Sequence, residues 1–401
     1  MADQQSEDAA VIRRSSRLDG IDAARALALI GMLAVHFGPQ DEGGIGGFAL
    51  WFPHGRASIL FAVVAGIGMA LLTADPEKRM RGRLRLLCYG AVLLPLGLFL
   101  EVLDHPVAVI LQHYAVFFAL GACVAGLPRR ALLALAMVMM VLGPAIFFAG
   151  RMTWPQLFAR QSVTMFDDPL TILTGLLFTG PYPLLTWSAP LLFGFWLGRG
   201  NLASRRVAAW LLVGGVAVAV AAMLVSEGLF GVVGEPSSRR DWRFVFTVAA
   251  HSEMPLWMLQ ATAVAGAFVG LSLLLARWLP FATQGFAALG RLTLTVYVTH
   301  ILVMTAWPDL LIHDDVATSL LALGLFTAGA MTFSVLWQPL GRGPVERLMY
   351  MVWEGVSSLL PPREQPPPET VEPSPEPAPL SGASPWQRSD PAPDGLPQRP
   401  R

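Results

Sequence analysis

Apolar stretches of about twenty residues recur along the chain, and this recurrence limits the folds that it can adopt. A helix crosses roughly 30 Å of hydrocarbon in ~20 residues at ~1.5 Å each. Hydrophobic residues make up 54% of the 401 residues and charged residues only 14%, which is unlike the composition of a soluble domain. The sequence therefore predicts an all-α polytopic membrane protein.

We count ten such stretches and expect a bundle of about ten transmembrane helices. The predicted spans are 21–38, 57–74, 86–103, 107–126, 131–150, 181–198, 207–225, 254–275, 286–307 and 319–340. The shorter apolar stretch 170–180 is interpreted as a re-entrant or interfacial piece, because it cannot cross the hydrocarbon alone.

Basic residues concentrate in alternate connections between these spans, which predicts the orientation of the chain in the membrane. The basic connections are 13–17, 78–85, 129–130, 199–206, 277–291 and 342–347. Arg239, Arg240 and Arg243 are exceptions in a longer connection, where the rule weakens. We expect a multi-pass protein of the plasma (cytoplasmic) membrane with both termini in the cytoplasm.

The composition divides the chain into four predicted parts. A cytoplasmic N-terminal segment, 1–17, precedes a transmembrane domain, 18–343. Residues 344–360 mix apolar and charged side chains and predict an amphipathic helix in the membrane interface. Residues 361–401 are rich in proline, glutamate and serine, which predicts a disordered cytoplasmic tail.

The charge and cysteine patterns narrow the partners and cofactors. The formal net charge is zero, so nothing in the overall balance indicates a nucleic-acid partner. The two cysteines, Cys88 and Cys123, lie in apolar runs and are interpreted as small packing residues. No histidine or cysteine spacing typical of a metal site occurs, and we expect no metal. Membrane lipid is an expected partner, and a homodimer is left open.

Ionisable residues inside a span are costly and therefore informative. Asp22 and Arg25 are close enough on the first helix to pair, either to fix its depth or to contact a ligand. Six of the seven histidines map to the outer half or the centre of the bilayer. They are His36, His54, His105, His113, His251 and His300. One histidine alone is usually satisfied by a neighbouring helix, but this group favours proton-transfer chemistry.

Several segments carry a resemblance to a known family. They are RLDGIDAARALALIGMLAVH at 17–36, HGRASILF at 54–61, PVAVILQHY at 106–114, TGPYP at 179–183, AHS at 250–252, GRLTLTVYVTH at 290–300 and GPVE at 343–346. With these segments the chain resembles the catalytic region of the heparan-alpha-glucosaminide N-acetyltransferase family, and more closely its uncharacterised bacterial relatives. The likeness spans about residues 17–350.

The resemblance implies a polytopic enzyme that moves an acetyl or acyl group from cytoplasmic acyl-CoA to an extracytoplasmic acceptor. The family histidine between the first two helices corresponds to His54, which we expect to act as general base, with His36 and His300 as further catalytic residues. The expected residues for acyl-CoA are Asp22, Arg25, Arg56 and Arg291. Those expected for a sugar or cell-envelope acceptor are Glu101, Gln112, His113, Tyr182, His251 and Glu253.

Two other functions remain open from the sequence. A permease could relay protons through the intramembrane histidines as its substrate moves, although no inverted repeat is evident. A non-catalytic scaffold could recruit cytoplasmic partners through the proline-rich tail. Thermal stabilisation by acyl-CoA is expected for the enzyme and not for the permease, whereas a scaffold would tolerate substitution of His54 and His300 but not loss of the tail.

Overall fold

The computed structural model describes residues 2–360, with side chains from residue 18 onward, and this part contains helices and no β-strand. The α-helices are α1 Ala2–Phe37, α2 Gly44–Trp51, α3 Arg56–Leu72, α4 Arg79–Leu100, α5 Leu111–Val124, α6 Arg129–Thr153, α7 Pro169–Thr174, α8 Leu184–Gly198, α9 Arg205–Val233, α10 Pro255–Trp278, α11 Pro280–Arg291, α12 Thr293–Ala306, α13 Pro308–Leu311, α14 Val316–Trp337 and α15 Pro344–Ser358. A π-helical turn, Gly175–Thr179, follows α7. The predicted all-α polytopic membrane fold is confirmed.

The predicted number of ten spanning helices is wrong. Among the described residues, five helices are long and apolar enough to cross a membrane, or up to seven if each of two bent pairs is one span. The predicted spans 107–126 and 181–198 form α5 and α8, of 14 and 15 residues, which are too short to cross roughly 30 Å unaided. Apolar composition thus continues past the ends of these two helices.

The two bent pairs are α2 with α3 and α11 with α12. The first pair bends by 41° and the second by 67°. Gly55, just before α3, has φ +70°, a left-handed conformation that favours glycine. The predicted span 286–307 is interrupted at Leu292, between α11 and α12.

The core of the bundle lies around α1, α3, α8 and α10. Helix α1 packs against α3, α10, α11 and α14, and α3 packs against α8. The largest fully buried side chains include Trp187 on α8 and Trp257 on α10. By contrast, α9 and α14 expose apolar side chains such as Trp210 and Leu325. Helices that are apolar on their outward faces are expected to face lipid.

Several helix crossings depend on glycine. A Cβ atom at Gly66 on α3 would clash with the Leu191 carbonyl on α8, and one at Gly194 would clash with the Val63 carbonyl. A Cβ atom at Gly290 would likewise clash with the carbonyl of Asp22. Small residues at these points let the backbones approach closely, as is common between membrane helices.

The basic connections that alternate along the sequence meet at one end of the bundle. Arg199, after α8, donates to the carbonyl of Thr73 at 3.0 Å and to that of Ala125 at 2.8 Å. It therefore joins the connections that follow α3, α5 and α8. We call this the arginine end and the opposite one the histidine end. The arginine end includes Arg25, Arg85, Arg199 and Arg291, and the histidine end includes His36, His54, His251 and His300.

Helix α15 forms within the predicted amphipathic segment 344–360 and packs on α4 and α12. The Glu346 carboxylate accepts backbone hydrogen bonds from Leu294 at 2.9 Å and Thr295 at 3.1 Å, in the first turn of α12. Its interfacial placement stays a prediction. The predicted tail, 361–401, and the side chains of segment 1–17 lie outside the described residues.

Candidate active site

A cavity of about 480 Å³ lies at the arginine end, between α1, α3, α4, α5, α11, α12 and α15. Three guanidinium groups, those of Arg25, Arg85 and Arg291, line one part of it. Toward the histidine end the lining includes Ile110 and Tyr297. Most of the remaining wall is apolar, formed by Met32, Phe61, Ala65, Met69, Leu72, Leu86, Leu93, Leu111, Phe118, Leu294 and Met349.

Three of the residues predicted to bind acyl-CoA lie together beside this cavity. Arg25 Nη1 donates to Asp22 Oδ1 at 2.7 Å and to the Gly290 carbonyl at 3.2 Å. Arg291 Nη1 lies 3.8 Å from Asp22 Oδ2 and 3.3 Å from Asp19 Oδ1. Both arginines are held in place and keep about a third of their side-chain surface exposed, 30% and 39%. An anionic ligand could therefore reach them.

Arg56, the fourth residue predicted to bind acyl-CoA, is placed elsewhere. It begins α3 at the histidine end, and its guanidinium lies 5.3 Å from the Trp51 ring centre and 5.2 Å from that of Phe52. Arg56 Nη1 also donates to the Phe52 carbonyl at 3.1 Å. These contacts are about one helix length from the arginines of the cavity, so Arg56 cannot join them in this structure.

His54 lies within a cluster of rings at the histidine end. Its ring centre is 5.3 Å from that of His251, which in turn lies 5.7 Å from Trp257 and 6.2 Å from Trp187. Tyr182 contacts the same group, with its ring 5.9 Å from His251. His54 and His251 are both half-buried, whereas Trp187 and Trp257 are fully buried. We call these five side chains the His54 cluster.

Glu253 contacts the His54 cluster through a hydrogen bond from Trp187. It is only 2% exposed, and its carboxylate accepts hydrogen bonds from Thr186 Oγ1 at 2.5 Å and Trp187 Nε1 at 3.4 Å. Arg160 Nη2 lies 3.3 Å from the same carboxylate and 3.1 Å from the Pro181 carbonyl. Burial raises the pKa of Glu253, and the charge of Arg160 opposes that rise.

The backbone of the connection before α10 is strained around Glu253. His251 has φ 55° and Glu253 has φ 65°, a left-handed conformation that non-glycine residues rarely adopt. Such strain persists when surrounding contacts fix the conformation, and it is commonest at functional sites. Here the contacts of Glu253 hold the segment, and they place the His251 ring against His54.

His36 and His300 form a second pair of imidazoles. His36 Nδ1 and His300 Nε2 are 3.1 Å apart, and the two rings stack with centres 5.3 Å apart. The Tyr297 ring, which lines the cavity, lies 4.9 Å from His300. The predicted catalytic histidines thus fall into two groups, His54 beside His251 and His36 beside His300.

The remaining predicted acceptor residues lie between these groups. Glu101 Oε2 accepts from the Val109 backbone N–H at 2.8 Å and from Gln112 Nε2 at 3.1 Å. His113 is fully buried, and its ring lies 5.5 Å from that of Tyr182.

Sequence reasoning missed Arg160, Trp187 and Trp257 as parts of this site. Arg160 belongs to an irregular connection without helical periodicity, and its partner Glu253 is 93 positions away. The only available signal was its charge on a connection predicted to be poor in cations. The tryptophans resemble ordinary core residues, and only the ring contacts with His251 distinguish them.

Two family models match the chain. One, described as heparan-alpha-glucosaminide N-acetyltransferase, catalytic, matches residues 17–230 and so covers just over half of the chain. The chain belongs to the heparan-alpha-glucosaminide N-acetyltransferase family. The other model, a protein family of unknown function (DUF418), matches residues 195–354. No curated protein matches the chain.

This membership confirms the resemblance found in the sequence and makes the protein a member of a membrane acetyltransferase family. The acetyltransferase match contains Asp22, Arg25, His54 and Arg160. The cluster partner His251 and the pair partner His300 lie in the segment matched by the second model alone. Both matched segments therefore contribute to the candidate site.

Proposed function

We propose that the protein transfers an acyl group from acyl-CoA, bound in the cavity at the arginine end, to an acceptor at the histidine end. The acceptor is an amino or hydroxyl group of a sugar or of another cell-envelope molecule. The single observation that carries this proposal is the cavity itself, which joins three arginines to apolar walls that extend as far as Tyr297, a ring in contact with His300. Family membership independently favours acetyl transfer.

The cavity residues fit the chemistry of a coenzyme A thioester. Guanidinium groups bind phosphate oxygens with charge-assisted hydrogen bonds. Arg25, Arg85 and Arg291 line the same cavity and could bind the phosphates of one ligand in this way. From Arg25 to Met32 the lining of α1 extends over seven residues, or roughly 10 Å. These apolar walls suit contact with a pantetheine arm. When bound, acyl-CoA would supply the activated thioester.

His54 is the proposed general base. The acceptor must lose a proton as its nitrogen or oxygen bonds to the acyl carbon, while the carbon–sulfur bond breaks and the thiol leaves. A neutral imidazole takes that proton at an unprotonated ring nitrogen. His54 keeps part of its surface exposed beside the His251 ring, so an acceptor can reach it.

We further propose that the arginine end faces the cytoplasm, in a plasma membrane, with both termini on that side. The grouping of the basic connections at one end supports this orientation, because cytoplasmic loops carry excess lysine and arginine. Acyl-CoA would then enter from the cytoplasm. Membrane lipid and an extracytoplasmic glycan or small-molecule acceptor would be the partners.

The test replaces His54 with alanine in the full-length protein. Membranes containing the protein receive radiolabelled acetyl-CoA, and label transferred to envelope sugars or lipids is measured. We expect His54→Ala to lower transfer by about 10²-fold or more while acetyl-CoA binding persists, since general-base catalysis contributes that much. His313→Ala, at a connection residue outside both histidine groups, is the matched control and should retain transfer.

Full transfer by a folded His54→Ala protein would exclude His54 as the base. A wild-type protein that fails to bind acetyl-CoA would exclude the acyltransferase, and a permease would then be favoured.

A further inference from the structure

Between α4 and α5 the chain is irregular although it is buried. Val109 is fully buried and Ile110 is 3% exposed, yet neither belongs to a helix. Irregular backbone deep in a membrane protein is tolerated where it is enclosed by protein or lines a cavity, because its polar groups need partners. The partners of this segment therefore show what holds it.

Three side chains from other parts of the fold supply those partners. The Val109 N–H donates to Glu101 Oε2 at 2.8 Å, and the Ile110 N–H donates to the Tyr297 hydroxyl at 3.3 Å. Tyr182 donates its hydroxyl hydrogen to the Ala108 carbonyl at 3.3 Å. These residues come from the end of α4, from α12 and from the turn before α8. Residues 108–110 are thus fixed at successive positions.

The segment has the cavity on one side and the His54 cluster on the other. Ile110 and Tyr297 line the cavity. Tyr182, on the opposite side, contacts His113 and His251. Among the described residues no histidine lines the cavity, so the arginine-lined channel is closed off from the imidazoles in this structure.

We propose that residues 108–110 form a partition that shields the thioester from water until an acceptor is bound, with Glu101 and Tyr297 as positioning residues. This rests on the proposed function. In productive transfer the acceptor bonds to the acyl carbon and the thiol leaves. If water reaches the same carbon first, its oxygen takes that place, and a free carboxylate and the thiol are released. Exclusion of such hydrolysis is a recognised role of enclosed active sites.

The experiment measures acetate release from radiolabelled acetyl-CoA by the purified full-length protein, without any acceptor. We expect slow hydrolysis by the wild type and about tenfold faster hydrolysis by Glu101→Ala and Tyr297→Phe. Glu101→Gln keeps an oxygen that accepts from the Val109 N–H, so it should hydrolyse acetyl-CoA at the wild-type rate. Glu227→Gln, at an exposed position on α9, is the charge control and should also match the wild type.

Faster hydrolysis by the variants distinguishes loss of the partition from general destabilisation, because destabilisation would lower hydrolysis and transfer together. Variants that bind acetyl-CoA but hydrolyse it no faster than the wild type would overturn the partition and leave the proposed function standing. A wild type without acetyl-CoA binding would overturn both. If Glu101→Ala does not fold, Tyr297→Phe decides alone, because it removes one hydroxyl and keeps the ring.

Discussion

Glu253 is a buried carboxylate whose ionised form is stabilised by the partly exposed Arg160 and by hydrogen bonds from Thr186 and Trp187. Arg160 is 41% exposed, and Glu253 lies in the connection before α10, outside the spanning helices. Burial raises the folded-state pKa of Glu253 above its unfolded value, so the folded state binds more protons in the window between them. The free energy of unfolding therefore falls as pH rises through that window.

Replacing Arg160 with methionine should widen this pH window, because the positive charge that opposes the rise in the pKa of Glu253 is lost. We expect Arg160→Met to destabilise the protein by about 1–3 kcal/mol at roughly pH 8, with a smaller deficit at roughly pH 5.5. Thermal unfolding in detergent at the two pH values measures the difference. In the double variant Arg160→Met/Glu253→Gln, the pH dependence that Glu253 contributes should disappear. An equal deficit of Arg160→Met at both pH values would contradict this account.

The residue types in the sequence predicted many of the site residues, but not which of these residues lie together. His54, His251 and Glu253 could be selected because imidazoles and carboxylates are rare in apolar chains. Their division into the His54 cluster and the His36–His300 pair depends on how far each connection folds back, which no local pattern encodes. Arg160 was missed for the same reason.

The packing of α9 on α10 provides a comparison between neighbouring glycines. A Cβ atom at Gly215 would lie 2.5 Å from the Ala263 carbonyl and 2.8 Å from the Ala267 nitrogen, whereas one at Gly214 would meet nothing within 4 Å. We expect Gly215→Ala to lower the unfolding temperature, because the helices must separate. Gly214→Ala should be neutral or stabilising by up to about 1 kcal/mol, through helix propensity alone. Equal effects in thermal unfolding would show that this crossing does not need glycine.

Apolar stretches predicted where the helices occur better than where they end. The predicted span 131–150 lies within α6, Arg129–Thr153, a helix that continues through Pro144. The span 107–126 lost its first residues to the partition, whose amides are satisfied by Glu101 and Tyr297 rather than by helical bonds. Long-range side-chain partners of this kind are not visible in hydropathy, which is one reason why the count of ten was too high.

At the scale of the whole molecule, the cavity couples ligand binding to stability. It is lined by seven helices that come from both halves of the sequence, so a ligand within it contacts elements that separate on unfolding. Acetyl-CoA that binds only the folded protein should raise the free energy of unfolding by about 2.7 kcal/mol at a hundred times its Kd. Thermal unfolding in detergent across a range of acetyl-CoA concentrations measures this stabilisation.

The arginines determine how that stabilisation responds to charge. Arg291→Gln should weaken acetyl-CoA binding about tenfold, since a charge-assisted hydrogen bond contributes about 1.5–3 kcal/mol. Arg347→Gln removes the same charge from an exposed position on α15 that does not line the cavity, and should bind as the wild type does. Added salt should weaken wild-type binding, because it screens the partly exposed arginines. Loss of binding in both variants alike would mean that only the net charge of the arginine end attracts the ligand, and that the cavity does not hold it.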